Sequence, residues 1–251
     1  MQTVLVTAFA VGGATVLGAL LGFFLKGFTD RFSDGVLSFA AGVMLSSAIV
    51  GLIVPAISYD GLPLALSVPA GVFSGALFLF LIDRFLPYPS VLEEEFLGER
   101  SSGKGLDRGL LFVLAIAIHN LPEGIAAGVG FGTGDKETAL FIAGSIALQN
   151  LPEGMVIVAP MLASGFSRKK TFFCAAGTGI LEIIGTFIGY FAVREALVIL
   201  PFSLAFAGGL MLYVVIFQMI PESRRGRHPS FSAFALLSGV LAVLLADHLL
   251  G

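Results

Sequence analysis

The chain has 251 residues, 57% hydrophobic and only 12% charged, with a mean hydropathy of +0.98. A soluble domain of that length needs a far more polar surface, so the composition excludes an ordinary water-soluble fold and points to lipid as the main solvent. The net charge of −3 decides nothing by itself; the placement of the charges does.

Apolar stretches of roughly 20 residues, each long enough to cross a bilayer as a helix, recur along the chain. Eight are expected, at about 2–25, 35–57, 64–86, 109–130, 137–162, 171–192, 197–220 and 230–250. A β-barrel would read as short alternating segments instead. The first stretch has no basic leader and no clear small-x-small cleavage site, so it is read as a retained helix. Abundant glycine suits close packing of membrane helices. The one cysteine, Cys174, rules out an internal disulfide and a multi-thiolate metal site.

Between the third and fourth spans, residues 88–108 hold Glu93, Glu94, Glu95 and Glu99 among Gly and Ser, which reads as a solvated cytoplasmic linker. With eight spans, twelve of the fourteen basic residues fall on one side, and only Lys136 and Arg194 on the other. The positive-inside rule assigns the basic side to the cytoplasm and both termini to the outside.

Two internal repeats follow the chain. Ser38–Leu45 in span two resembles Ala205–Leu212 in span seven, and each is followed by a proline near the helix end, Pro55 and Pro221. Spans four and five share a sharper hexad, His119-Asn-Leu-Pro-Glu-Gly124 and Gln149-Asn-Leu-Pro-Glu-Gly154. Each pair joins an even-numbered span to an odd one, so its members cross the membrane in opposite senses. That is the pattern of inverted-topology repeats in secondary transporters.

The hexads and Glu182 in span six place three carboxylates, a histidine, a glutamine and two asparagines near one depth. A charged group there costs at least about 3 kcal/mol unless paired or solvated. No Lys or Arg stands inside a span to neutralise them, so protons or a metal must. On a helix His119, Asn120 and Glu123 share a face, as do Gln149, Asn150 and Glu153. Pro122 and Pro152 free the carbonyls of Ile118 and Leu148, and such loosened backbone is tolerated where it lines a polar site. Oxygen donors with one imidazole and no thiolate suit Zn²⁺, Mn²⁺, Fe²⁺ or Cd²⁺. The bland alternatives are a hydrogen-bonded structural histidine and a Glu182 that bonds only Thr186. Asp83 with Arg84 reads as a surface pair. Gln218 stands near a possible exit path, and Asp247 with His248 near the outer end of span eight, where interfacial solvation explains them as well as an entrance does.

These hexads, with a glutamate in span six and Ile220-Pro-Glu-Ser223 closing span seven, resemble the ZIP (Zrt/Irt-like) family of metal transporters, in particular its GufA-like branch. The resemblance covers essentially the whole chain. It implies one metal site of His119, Glu123, Gln149 and Glu153, and another of Asn120, Glu123, Asn150, Glu153 and Glu182, with the two shared glutamates bridging. It also puts Asp247 at a span-eight aspartate near the entrance. The chain departs from the family pattern at Gln149, where many members carry His although Gln is usual in the GufA-like branch, at Asn150, a position that can be Asp, and at Gln218, where an acidic residue is common.

The expectation is therefore an all-α integral membrane protein of eight transmembrane helices with inverted repeats, a single transporter domain over residues 1–251. It would carry divalent transition-metal ions, zinc first, by alternating access, with the metal as cargo and no catalytic cofactor. By the resemblance, spans one, four, five and six move against the other four. A glutamate-lined cation channel is the alternative. An intramembrane metalloprotease lacks its His-Glu-x-x-His motif, and a proton-driven carrier of organic cations leaves His119 and the asparagines unexplained. A homodimer is expected through the small residues of spans two and three, such as Gly71 and Gly75; no nucleic-acid partner is expected.

Overall fold

The computed structural model describes residues 1–24, 30–58, 64–85, 105–131, 136–163, 165–195, 199–224 and 228–250. The acidic stretch Glu93–Glu99 lies outside the described residues. Backbone polar groups find no partners in hydrocarbon, so each apolar run closes its own hydrogen bonds as a helix. The helices are α1 (Gln2–Phe24), α2 (Asp30–Ser46, continuing through Ser47–Ile53 and Val54–Ser58), α3 (Leu64–Phe85) and α4 (Gly105–Gly130). They continue with α5 (Lys136–Ala163), α6 (Arg168–Glu195), α7 (Leu200–Val214, continuing through Val215–Met219 and Ile220–Arg224) and α8 (Pro229–Leu250). Seven are long and apolar enough over their described residues to span a membrane; α4, the remaining one, has 26 residues. No strand occurs among the described residues. The protein is a multi-pass, all-helical membrane protein.

Each helix overlaps one expected span. The largest extension at a helix start is at α2, which begins at Asp30 rather than about 35; α6 begins at Arg168 rather than about 171, with Arg168, Lys169 and Lys170 as an exposed, charged first turn. The α5–α6 corner has a local cause. Gly165, at φ 88°, adopts the left-handed conformation; its N–H reaches Leu162 O, and Phe166 N–H reaches Met161 O, closing α5. Ser167 Oγ then accepts the Lys170 N–H and caps α6.

Helices α2 and α7 each contain a π-helical stretch, Ser47–Ile53 and Val215–Met219. Past each stretch stands a proline, Pro55 or Pro221, whose ring crowds the carbonyl four residues back and supplies no N–H. The helix widens to accommodate it: Val54 N–H bonds Ile49 O and Ile220 N–H bonds Val215 O, both five residues back.

The packing repeats itself. Helix α1 lies along α5 as α6 lies along α4, and α3 lies along α7 as α8 lies along α2. Exchanging α1–α3 with α6–α8, and α4 with α5, maps each pair onto the other. The exchange holds residue by residue. A Cβ on Gly124 would stand 2.2 Å from Glu182 O, and one on Gly154 2.1 Å from Thr15 O. Gly12 and Gly179 likewise face each other's carbonyls, at 2.3 and 2.4 Å. Residues of α1 and α6 correspond at a shift of 167, the separation of Thr15 from Glu182. The Ser38 and Ala205 octads keep the same shift.

Gly71 and Gly75 seat α7 within the chain, against Phe202 O and Phe206 O. These glycines therefore serve an internal contact, which corrects the expectation that they offer a dimer surface.

Candidate metal centre

Helices α4 and α5 run unbroken through Pro122 and Pro152 and bring the two hexads together. Asn120, Glu123, Gln149, Asn150 and Glu182 are each at most 1% exposed. Gln149 Nε2 donates to Glu123 Oε1 at 2.9 Å. Glu182 Oε1 accepts from Thr15 Oγ1 at 2.6 Å and from Asn120 Nδ2. Glu182 Oε2 accepts from Asn150 Nδ2 at 2.5 Å, and that nitrogen also reaches Val11 O at 3.3 Å. Four helices, α1, α4, α5 and α6, thus meet at one carboxylate. The Thr186 hydroxyl bonds the backbone carbonyl of Glu182 and leaves the carboxylate to the others.

Among the described side chains, the buried atoms of this cluster left without partners are of one kind. Asn120 Oδ1, Glu123 Oε2, Gln149 Oε1 and Asn150 Oδ1 are buried acceptors with no donor. A buried polar atom without a partner costs roughly 1–3 kcal/mol, and four together leave a site rich in oxygen and short of positive charge. Glu123 stands within electrostatic reach of Glu153 and Glu182. Glu153 is partly exposed. His119 sits in α4 one residue before Asn120, its side chain outside the described set. Among the described residues, no three His, Cys, Asp or Glu side chains form a group that could hold a metal ion.

The other sequence candidates lie elsewhere. Asp83 is buried and accepts from Gln218 Nε2 at 2.9 Å and from the Tyr213 hydroxyl, joining α3 to α7. The expected Asp83–Arg84 surface pair is therefore corrected: Arg84 is exposed, and the carboxylate turns inward. Asp247 and His248 are exposed in the last turn of α8 and take no part in the centre. Thr15 was missed by reading the sequence alone, although the shift of 167 from Glu182 lands on it.

Exposure breaks the internal symmetry. Pro122, Glu123 and Ala126 are buried, but their equivalents Pro152, Glu153 and Val156 are partly exposed. Ser46, Gly51, Leu200 and Leu204 are buried; their equivalents Tyr213, Gln218, Ser33 and Leu37 are partly exposed. In these pairs the more exposed member lies toward the end carrying Arg31, Arg84, Arg168 and Arg224, whereas in Gly35–Phe202 and Met161–Phe131 it lies toward the other end. A larger apolar cluster includes Leu52, Val129, Phe141, Ile142 and Leu204 at the opposite end and runs on through Met44 to Leu79 and Met219 nearer the basic end. Toward the basic end a separate cluster of Ala19, Ile157, Val158, Met161, Phe166 and Ala175 draws only on α1, α5, α6 and the turn between the last two.

A family model described as ZIP zinc transporter matches residues 90–247. The chain is 36% identical to zinc transporter GufA of Myxococcus xanthus, with 98% of each chain covered. It is 34% identical to zinc transporter ZIPB of Bordetella bronchiseptica, over 95% of this chain and 78% of that one. Zinc transporter ZIP11 of Homo sapiens is 28% identical over 98% of this chain and 97% of its own length. These matches mark a transporter and not an enzyme. With a family match over most of its length and a relative similar from end to end, the chain belongs to the ZIP family of metal transporters, in its GufA-like branch.

Proposed function

We propose that this protein carries divalent transition-metal ions across the cell membrane, zinc foremost, through the centre between α4 and α5. The observation that carries this reading is the set of four buried oxygens without donors, Asn120 Oδ1, Glu123 Oε2, Gln149 Oε1 and Asn150 Oδ1. A cation satisfies all of them at once, and an oxygen-rich set with one imidazole suits zinc, manganese and iron. Glu123 and Glu153 supply the charge, His119 and Gln149 complete the shell, and Asn120 and Asn150 add neutral donors beside Glu182. The relatives named as zinc transporters support zinc as the cargo.

The mechanism is alternating access. The positive-inside rule supports an orientation with the more open end at the cytoplasm and both termini outside. In that orientation Glu153 and Val156 begin a path inward, and Leu52, Phe141, Ile142 and Leu204 pack together over the outer half. One closed and one open half favour a carrier over a glutamate-lined channel. Reconstitution in liposomes tests the reading: saturable uptake of Zn²⁺ is expected, competed by other transition-metal ions but not by Mg²⁺. Unsaturable flux would mean a channel, and no divalent uptake would overturn the proposal.

A further inference from the structure

A threonine hydroxyl inside an apolar helix ordinarily bonds the carbonyl four residues back. For Thr15 that carbonyl belongs to Val11, and it takes Asn150 Nδ2 at 3.3 Å. The Thr15 hydroxyl, in a residue 1% exposed, turns across to α6 and donates to Glu182 Oε1 at 2.6 Å. Asn120 Nδ2 donates to the same oxygen. Each oxygen of an ionised carboxylate offers about two lone-pair sites, so Oε1 has both taken. Among the described residues Oε2 accepts from Asn150 Nδ2 alone, and it keeps one site open. The two oxygens of Glu182 are therefore unequal, and the donor-less oxygens of Asn120, Glu123, Gln149 and Asn150 complete the surroundings in which that open site stands.

We infer that Thr15 is a positioning residue that sets ion preference: with Asn120 it occupies Glu182 Oε1, so that the cargo meets Glu182 through Oε2 alone. Thr15 itself stays off the cargo. This rests on the proposed transport site and adds to it a choice between ions. Zinc is small and takes four ligands readily. A larger ion, as calcium illustrates, fills more positions and gains from a carboxylate that chelates with both oxygens; Cd²⁺ is close to calcium in size. Holding Oε1 withholds the second oxygen and so favours zinc over cadmium. The internal symmetry gives a reason for a donor at this position. Thr15 and Glu182 are equivalents in direct contact, where two carboxylates would repel and a hydroxyl supplies hydrogen.

The test uses full-length protein in liposomes, with uptake of Zn²⁺ and of Cd²⁺ each read as Vmax/KM. Thr15→Val keeps the shape and frees one site on Oε1; the Zn²⁺/Cd²⁺ ratio should fall about tenfold, the scale of one hydrogen bond to a charged group. Thr15→Ser restores the donor and should restore the ratio. A purely structural Thr15 would lower folded yield and the uptake of both ions together, leaving their ratio where it was. An unchanged ratio in Thr15→Val, or an equal fall in Thr15→Ser, overturns the inference. Should Thr15→Val fail to fold, a crystal structure of the native protein loaded with Zn²⁺ decides, the ion located by anomalous scattering. Contact through Oε2 alone is expected, and contact through Oε1, through both oxygens or through neither overturns it. If the native protein takes up neither ion, the transport reading fails; if it does and Thr15→Val keeps the native ratio, only this inference fails.

Discussion

Thr15 Oγ1 and Glu182 Oε1 lie 2.6 Å apart, and the two residues are symmetry equivalents, separated by the shift of 167 that relates α1 to α6. An equivalent pair in direct contact must sit on the pseudo-twofold axis. The axis therefore passes beside the centre, where α4 and α5 also exchange with each other. Polar groups gather beside that axis and are shared by four helices.

The backbone contacts on that axis make the first prediction. A methyl group at Gly154 would enter the Thr15 carbonyl at 2.1 Å, whereas a Cβ on Gly13 meets nothing within 4 Å. Gly154→Ala should lower stability by about 2 kcal/mol through overpacking. Gly13→Ala should be neutral or slightly stabilising, since alanine favours a helix over glycine by about 1 kcal/mol. Thermal unfolding of the two variants in detergent checks the contrast, and equal melting temperatures would contradict the packing.

Much of this was legible in the sequence because lipid permits few solutions. Long apolar runs have to be helices, so the eight spans could be located before their packing was known. Intramembrane carboxylates and amides are costly, so Glu123, Glu153, Glu182 and their neighbours stood out. Thr15 did not, since a hydroxyl in an apolar helix commonly bonds its own backbone. Asp83 was misassigned because Arg84 is its neighbour in the chain, whereas its partners Tyr213 and Gln218 come from α7. The π-helical stretches were invisible too: Pro55 and Pro221 signalled a disturbance, but not that the helix would widen before it.

The two hexad glutamates should be indispensable to transport and dispensable to folding. Glu123 keeps one oxygen without a donor, and Glu153 is its partly exposed equivalent. Glu123→Ala or Glu153→Ala should cut Zn²⁺ uptake by roughly a hundredfold or more, the scale of losing one partner from a buried ionic contact. Insertion should be unimpaired, because an intramembrane charge is removed. Radiotracer uptake beside a membrane-fraction assay separates the two effects; uptake at the native rate in Glu123→Ala would remove the site assignment.

His119 should govern preference among metals more than transport as such. Imidazole suits zinc, and an all-oxygen shell suits manganese. His119→Ala should therefore raise KM for Zn²⁺ more than for Mn²⁺, and the ratio of the two is the quantity to measure. An equal change for both ions would place the imidazole outside the shell.

Accessibility offers a test of conformation. In a Cys174→Ser background, Val156→Cys should react with an impermeant thiol reagent applied from the cytoplasmic side, whereas its equivalent Ala126→Cys, buried at 0%, should resist reagent from outside. Equal labelling of both from their respective sides would contradict a centre open at one end.

The number of ions held follows from the charges. Glu123 and Glu153 together bring −2 and neutralise one divalent ion, while Glu182 already accepts hydrogen bonds from Thr15, Asn120 and Asn150. A second divalent ion would set +4 against three carboxylates in a medium of low dielectric, where repulsion between the ions is poorly screened. One tightly held ion per chain is therefore expected. Asn150→Asp removes a donor from Glu182 and puts a carboxylate in its place, so two acceptors face each other and call for a cation. That variant should bind a second divalent ion where the native protein binds one. Calorimetric titration of purified protein, with anomalous scattering to locate the ions, reads both numbers. Two equally strong ions in the native protein would overturn this expectation.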